Sequence, residues 1–126
     1  MLLAQTLVGD EAVGLLPRQF PKLKKVRLAR TQVTSSGLAA LGGLPQLEDL
    51  VISECSQVFD EGVGVIGLLD SLKRLNLWRV QATDEGVQHL GELKDLQYLN
   101  LDNTQITDAS LGALSRVIGE VVASSA

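Results

Sequence analysis

The sequence predicts an α/β solenoid, a curved stack of strand–helix units with parallel strands on its concave face and short helices on its convex face. A strand-like apolar pattern occurs four times, and successive copies are offset by 24, 25 and 24 residues. A second apolar pattern, in which the apolar residues are three positions apart, follows each copy. One such unit is too small to bury its own apolar face, so neighbouring units must stack. Because a helix is wider than the ~4.8 Å between strands, the stack curves with its strands inside.

Each unit begins with the strand-like pattern and continues with the stepping pattern. The strand-like sets are Leu23, Val26 and Leu28; Leu47, Leu50 and Ile52; Leu72, Leu75 and Leu77; and Leu96, Leu99 and Leu101. The stepping sets are Leu38, Leu41 and Leu44; Val63, Ile66 and Leu69; Val87, Leu90 and Leu93; and Leu111, Leu114 and Val117. Alternation is typical of a half-buried strand, and steps of three are typical of one helix face. We therefore predict parallel strands over residues 25–29, 49–53, 74–78 and 98–102, each followed by a helix or helical turn.

The repeats cover nearly the whole chain, which predicts a single domain over residues 1–126. Its parts are a truncated leading repeat, four full repeats and a tail in which VVASSA begins no further strand-like set. Their ranges are 1–20 for the leading repeat, 21–44, 45–69, 70–93 and 94–117 for the full repeats, and 118–126 for the tail. Met1, Leu2 and Leu3 would form half a strand with no earlier unit beside it, so we expect end-to-end self-association or dependence on upstream sequence.

The repeating motif LxxLxLxxTxVT, followed by GLxxLxxL, resembles the leucine-rich repeat. The stretch TDEGVQHLGELKDLQYLNLDNTQITD resembles the threonine-type repeats of planctomycete-like bacteria. The stretch LEDLVISECSQVFDEGV is similar to the cysteine-containing repeats of F-box and ribonuclease-inhibitor-like proteins. The resemblance implies the solenoid fold far more strongly than it implies a function.

One position after each strand carries a small side chain where leucine-rich repeats usually place asparagine. This column reads Thr6, Thr31, Cys55, Val80 and Thr104. A threonine hydroxyl can hydrogen-bond the loop backbone and a thiol does so weakly, whereas Val80 cannot and is expected to be buried. Cys55 could be a reactive nucleophile or a small buried core thiol, and its place in the column favours the core thiol.

Short polar pairs precede the stepping sets and predict helix N-caps. The pairs are Thr34-Ser35, Thr83-Asp84 and Thr107-Asp108, with Phe59-Asp60 in the divergent unit. The neighbouring carboxylates suit the positive end of a helix. The alternative is a metal site, but these acids lack the spacing of ligand loops and recur with the repeat, so we favour capping.

The composition argues against catalysis, metal binding and cofactors. The chain has one cysteine and one histidine, which excludes a disulfide framework and most metal or acid–base arrangements. Gly62-Val63-Gly64-Val65-Ile66-Gly67 matches the GxGxxG dinucleotide fingerprint, but two of its glycines belong to columns of the repeat. His89 is expected to face solvent on the convex side. We predict no enzyme activity, no catalytic residues, no metal and no cofactor.

Charge is unevenly distributed along the chain. Residues 1–30 carry six basic and two acidic side chains, whereas the remaining residues carry five basic and thirteen acidic ones. Nucleic-acid binding and a merely solvated face both fit the basic end, and the lack of interleaved aromatic rings favours the solvated face. The apolar runs are too short to cross a membrane. The first residues, MLLAQTLVGDE, make a poor signal peptide, so we expect a cytoplasmic protein. We also expect that it binds neither nucleic acid nor membrane.

Alternation along the strands turns a second set of residues to the concave face. Its members from the third and fourth full repeats are the candidate protein-binding residues, namely Trp78, Tyr98, Arg74, Arg79, Asn76, Asn100, Asp102 and Asn103. One predicted column across the strands is Lys25, Asp49, Arg74 and Tyr98, and another is Arg30, Glu54, Arg79 and Asn103. Lateral charge pairs that merely keep the sheet soluble are one interpretation, and aromatic rings beside arginines in an interaction hot spot are the other.

Three classes of function remain. The first and favoured class is a non-catalytic protein–protein interaction module that binds a partner on its concave face. The second is a structural segment of a longer leucine-rich-repeat scaffold. The third, suggested by the cysteine-containing repeat alone, is substrate recognition in a ubiquitin-ligase-like assembly.

Overall fold

A computed structural model describes residues 9–123, in which five strands form one parallel sheet. The strands are β1 (Lys25–Arg27), β2 (Asp49–Val51), β3 (Arg74–Asn76), β4 (Tyr98–Asn100) and β5 (Glu120–Val122), in the spatial order β1-β2-β3-β4-β5. The helices are α1 (Asp10–Gln19), α2 (Ser35–Leu38), α3 (Asp60–Ile66), α4 (Asp84–Val87) and α5 (Asp108–Ser115), and 3₁₀ turns at Ala39–Gly43 and Gln88–Glu92 extend α2 and α4. The predicted α/β solenoid is confirmed.

The strands pair in the register of the repeat. Val26 lies beside Leu50, Leu50 beside Leu75, and Leu75 beside Leu99. Backbone hydrogen bonds continue past each three-residue strand, because the N–H of Arg30 donates to the carbonyl of Ser53 at 3.0 Å and comparable bonds follow β2 and β3. The four predicted strand positions are therefore correct, and the lateral ladder extends about as far along each as predicted.

The core consists of the two apolar patterns. Nearly all of their members are buried, and Leu38, Leu50, Leu75 and Leu90 have no exposed surface. The prediction fails for Val117, which is 59% exposed, because Ile118 takes the buried position instead and is 3% exposed. The reason is local: the N–H of Ile118 donates to the carbonyl of Leu114, four residues earlier, whereas the N–H groups of Leu44, Leu69 and Leu93 each donate to a carbonyl three residues earlier.

The prediction that the array stops near Val117 and leaves a tail is wrong. β5 adds a fifth parallel strand, in which Val121 lies beside Leu99. Ile118, Val121 and Ala123 reproduce the strand-like pattern 22 residues after Leu96, Leu99 and Leu101, but with β-branched and small side chains. Val121 and Ala123 pack against the core. Met1–Leu3, on which the predicted self-association depends, lie outside the described residues.

The polar pairs before the helices join neighbouring repeats instead of capping their own helices. Thr34, Thr83 and Thr107 stand at N-cap positions, but none of their side chains bonds its own helix. The hydroxyl and N–H of Thr107 both donate to the carboxylate of Asp84 in the preceding unit, at 2.6 and 2.8 Å. Asp10 holds Thr34, and Asp60 holds Thr83, in the same two-bond arrangement. Because each acid lies in the first turn of its own helix, it also suits that helix's positive end.

These lateral bonds explain the glycine column. A Cβ at Gly86 would lie 2.5 Å from the Asp60 carboxylate and 2.9 Å from its Cα, so the close approach of the two units needs glycine there. In the last unit Ser110 takes this position. Hydrogen bonds from the Ser110 and Thr107 hydroxyls and from the Thr107 N–H lower the pKa of Asp84. The GxGxxG stretch thus lies within and just after a repeat helix, α3, and its first glycine packs on Ser35.

The column after the strands packs as the sequence predicts. Cys55 has no exposed surface, and its thiol donates to the carbonyl of Leu28 at 3.0 Å while lying 3.6 Å from the Thr31 hydroxyl. Val80 is 1% exposed, and the Thr104 hydroxyl donates to the carbonyl of Leu101 at 2.7 Å. His89 is exposed on the helix side, as expected.

Candidate functional site

The side of the sheet turned away from the helices, here called the concave face, carries four rows of side chains that run across the strands. We name two of them. The N-terminal row contains Lys25, Asp49, Arg74, Tyr98 and Glu120, which are register partners from β1 to β5. The C-terminal row contains Arg30, Glu54, Arg79 and Asn103, which follow the ends of β1 to β4.

Every residue of the C-terminal row has a left-handed backbone. The φ angles of Arg30, Glu54, Arg79 and Asn103 lie between 57° and 60°, and none of the four is glycine. The three charged side chains pair laterally, as predicted: Arg30 Nε donates to Glu54 Oε1 at 2.9 Å, and Arg79 Nη1 lies 3.7 Å from Glu54 Oε2. Glu54 is thereby held between two guanidinium groups.

Trp78 lies beside this row, directly before Arg79 in the chain. Its side chain is half-buried, and Arg79 Cζ lies 4.8 Å from the centroid of its ring. The backbone N–H of Trp78 donates to Asn76 Oδ1 at 2.9 Å, which orders the turn out of β3. Its neighbour toward the next strand is Asp102, whose carbonyl accepts from the Arg79 N–H and whose Oδ1 is buried with no hydrogen-bond partner in the described structure.

Tyr98 forms a second cation–aromatic contact in the N-terminal row. Arg74 Cζ lies 4.3 Å from the centroid of its ring, and Asn100 Nδ2 lies 3.5 Å from its hydroxyl. A shallow groove of about 240 Å³ borders this pair, and its polar lining includes Arg27 and Asp49. Asn100 Oδ1 also accepts the Asp102 N–H at 2.9 Å, so Asn76 and Asn100 both use their amide oxygens to order local turns.

The side chains of the concave face are suited to noncovalent contacts. Across residues 9–123 no group of three or more histidine, cysteine, aspartate or glutamate side chains is placed to hold a metal ion. The candidate residues are arginine, asparagine, aspartate and two aromatic side chains, a set suited to stacking, hydrogen bonding and ion pairing. None of the helices in the described part of the chain is long and apolar enough to span a bilayer.

Comparison with known proteins identifies the architecture. No protein-family model matches the chain, and no curated protein does. Among solved structures, the chain is similar to an internalin from Listeria monocytogenes, with 20% sequence identity and a TM-score of 0.55. The match covers 95% of this chain and 38% of the internalin chain, so this chain spans well under half of the internalin's length. The fold is a leucine-rich-repeat solenoid.

Within this solenoid, the candidate residues form two clusters instead of one. Trp78 and Arg79 lie at the C-terminal ends of the strands, whereas Arg74 and Tyr98 lie at the N-terminal ends. Trp78 lies four strand positions beyond Arg74, the register partner of Tyr98, which separates the Cα atoms of the two aromatic residues by about 13 Å along the strands. The sequence places both aromatic residues on adjacent strands correctly but does not show that they are far apart.

Two features of the site are absent from the sequence-based prediction. The left-handed backbone of the C-terminal row is one, and the only hint of it is Asn103, since asparagine is enriched in that conformation. The unpartnered oxygen of Asp102 is the other, and no sequence signal announces it because it depends on how neighbouring repeats enclose the carboxylate.

Proposed function

We propose that the protein is a non-catalytic protein–protein interaction module that binds its partner on the concave face, with Trp78 as the central contact. The supporting observation is positional. The row that contains Trp78 holds Ala29, Ser53 and Asp102 at the equivalent positions of the other repeats, so the solenoid does not require an aromatic side chain there. A half-buried indole stacked under a guanidinium group is the composition of an interface hot spot.

The neighbouring groups support the same proposal. Arg79 is exposed and already lies over the Trp78 ring, so its remaining N–H groups can meet a partner carboxylate. Asp102 lies beside Trp78, just after the next strand, and is half-buried, so its carboxylate adds a polar group at the edge of the Trp78 contact. Tyr98 and Arg74 supply a second contact, and Asn76, Asn100 and Asn103 provide polar contacts around both clusters.

The other two classes keep narrower support. The interpretation as a structural segment of a longer scaffold is consistent with the match to only 38% of the internalin chain. In that case Trp78 contacts no partner. We further propose that the repeats are of the planctomycete-like threonine type and of the cysteine-containing type. The cysteine-containing type is the sole support for substrate recognition in a ubiquitin-ligase-like assembly.

Affinity capture with a matched aromatic control tests the proposal. The wild-type protein, Trp78→Ala and Phe59→Ala are immobilised and exposed to lysate of the source organism, and the captured proteins are quantified. Calorimetry then measures the affinity of each of the three proteins for the captured partner. Phe59 is the control because it is a 47% exposed aromatic residue before α3, on the opposite side of the molecule. Loss of an anchor costs about 2 kcal/mol, so Trp78→Ala should weaken binding roughly thirtyfold while Phe59→Ala leaves it unchanged.

Thermal unfolding separates binding from folding. Trp78→Ala removes one cation–π contact and should cost about 1 kcal/mol of stability, which leaves the protein folded at room temperature. Equal binding by wild type and Trp78→Ala would contradict the proposed function. Unfolding of Trp78→Ala would show instead that Trp78 is a packing residue.

A further inference from the structure

We propose that the C-terminal row, Arg30–Glu54–Arg79, recognises an extended acidic peptide whose two carboxylates are three residues apart. The inference rests on the proposed function and adds the chemistry and geometry of the partner. The occupant is a segment of another protein, bound across the strand ends with one carboxylate on Arg30 and the other on Arg79. Trp78 lies directly before Arg79 and contacts the peptide beside the carboxylate on Arg79.

The backbone of this row is the first observation. A left-handed conformation is cheap for glycine and tolerable for asparagine, and it is strained for other residues. Asn103 follows this rule, but Arg30, Glu54 and Arg79 do not. Long charged side chains therefore occupy three successive positions where glycine or asparagine would fold with less strain. Strain retained in this way is typical of positions whose side chains serve binding.

The ion pairs are the second observation, because they order the arginines without exhausting them. Arg30 is bonded through Nε, and Arg79 approaches Glu54 through Nη1 alone. The Arg30 and Arg79 side chains remain 56% and 55% exposed, whereas the Glu54 side chain is 22% exposed. Glu54 thus acts as a positioning residue that holds both guanidinium groups, and a guanidinium has five N–H donors, so each keeps donors for an external carboxylate.

The spacing of the row sets the spacing of the ligand. Arg30 and Arg79 are two strands apart, which places their Cα atoms about 9.6 Å apart at ~4.8 Å per strand, while their guanidinium groups both turn toward Glu54. A polyproline II helix rises ~3.1 Å per residue and has three residues per turn, so residues i and i+3 lie ~9.3 Å apart on one side. Two carboxylates at i and i+3 of such a peptide therefore match the two arginines.

Charge on the rest of the concave face supports an acidic ligand at this end. The outward positions of the first three repeats carry five cations, Lys25, Arg27, Arg30, Arg74 and Arg79, against two carboxylates, Asp49 and Glu54. The outward charges of the next two strands are acidic, Asp102 and Glu120. An acidic peptide is therefore attracted to β1–β3 and repelled from β4 and β5, which aligns it with the arginine pair.

Fluorescence anisotropy with defined peptides tests the inference on the full chain. The probe is fluorescein-labelled GPEPLEPG, with glutamates at i and i+3, and the spacing control GPEEPLPG has the same composition with adjacent glutamates. The protein variants are Arg30→Gln and Arg79→Gln, with Arg116→Gln as the matched control because it removes the same charge from an exposed position at the end of α5. Glutamine leaves the backbone strain nearly unchanged, and circular dichroism verifies folding.

The expected pattern has three parts. GPEPLEPG binds more tightly than GPEEPLPG, each row variant weakens it about fivefold, and Arg116→Gln does not. When one glutamate of the probe is replaced by glutamine, the arginine that bound it has no carboxylate to lose. Substituting that arginine should then leave the affinity unchanged, whereas substituting the other arginine should still weaken binding. Equal affinity for the two peptides, no binding of either, or equal weakening by Arg116→Gln would overturn the inference.

A comparison with Trp78→Ala distinguishes this inference from the proposed function. If Trp78→Ala weakens capture of the partner while Arg30→Gln and Arg79→Gln do not, the concave face binds a partner of other chemistry and the inference fails alone. If neither aromatic nor arginine substitutions change capture, the proposed function fails as well.

Discussion

Replacing Gly67 by alanine should destabilise the protein, whereas the same change at Gly64 in the preceding turn should stabilise it. A Cβ at Gly67 would lie 2.8 Å from the carbonyl oxygen of His89 and 3.1 Å from its carbonyl carbon. The φ of Gly67 is −61°, which any residue adopts, so glycine is needed there for space alone. A Cβ at Gly64 would meet the His89 ring at an ordinary 3.5 Å.

The two substitutions differ in sign because different terms dominate. At Gly64, alanine has the higher helix propensity and gains about 0.5–1 kcal/mol of stability. At Gly67, the obstruction is backbone of the next repeat, which cannot rotate away, and overpacking of this kind costs about 1–3 kcal/mol. The free energies of unfolding of the two variants should therefore differ by about 1.5–4 kcal/mol.

Urea unfolding monitored by circular dichroism measures this difference, with wild type as the reference. The midpoint should fall for Gly67→Ala and rise for Gly64→Ala, with slopes unchanged because the buried area hardly changes. A Gly67→Ala variant as stable as wild type would show that the repeats stack less closely than the structure has them. Equal destabilisation by both substitutions would refute the argument from space.

Three further predictions concern the core, the lateral hydrogen bonds and the thiol. Leu75→Ala should cost about 2–5 kcal/mol because Leu75 has no exposed surface, whereas Leu68→Ala, at a residue 72% exposed, should change stability by at most about 0.5 kcal/mol in the same urea assay. Ser110→Ala should raise the pKa of Asp84, which its hydrogen bonds hold below the ordinary value of about 3.9. The hydrogen bonds make the pKa of Asp84 lower in the folded protein than in the unfolded chain. The stabilisation that they provide is therefore present above about pH 3.9 and is lost as the pH falls through the folded-state pKa. An NMR titration of the Asp84 carboxyl that is the same in Ser110→Ala as in wild type would contradict this prediction. Cys55 should react with a thiol reagent only at the rate of unfolding, so rapid labelling of the native protein would refute its burial.

The lateral organisation of the repeats was only partly predictable. The threonines before α2, α4 and α5 carry the signal of an N-cap, yet Thr83 and Thr107 donate to acids of the preceding repeat. A capping residue and a lateral donor occupy the same sequence position, and the choice between them depends on how closely the repeats stack. Likewise, Val117 fits the step of three, but the hydrogen bond from the Ile118 N–H to the carbonyl of Leu114 turns Ile118 into the core instead.

The sequence by itself determined the solenoid: the repeat period, the positions of β1 to β4 and most of the core follow from apolar residues whose spacing admits one mode of burial. It also determined which side chains face outward, since strand alternation is local. Only the tertiary structure decided the fifth strand, whose apolar set is weak and shifted to 22 residues. It alone decided the left-handed row, the ion pairs on Glu54 and the separation of Trp78 from Tyr98. These features depend on distances between repeats. Such distances are set when the units stack, and the sequence of one repeat does not determine them.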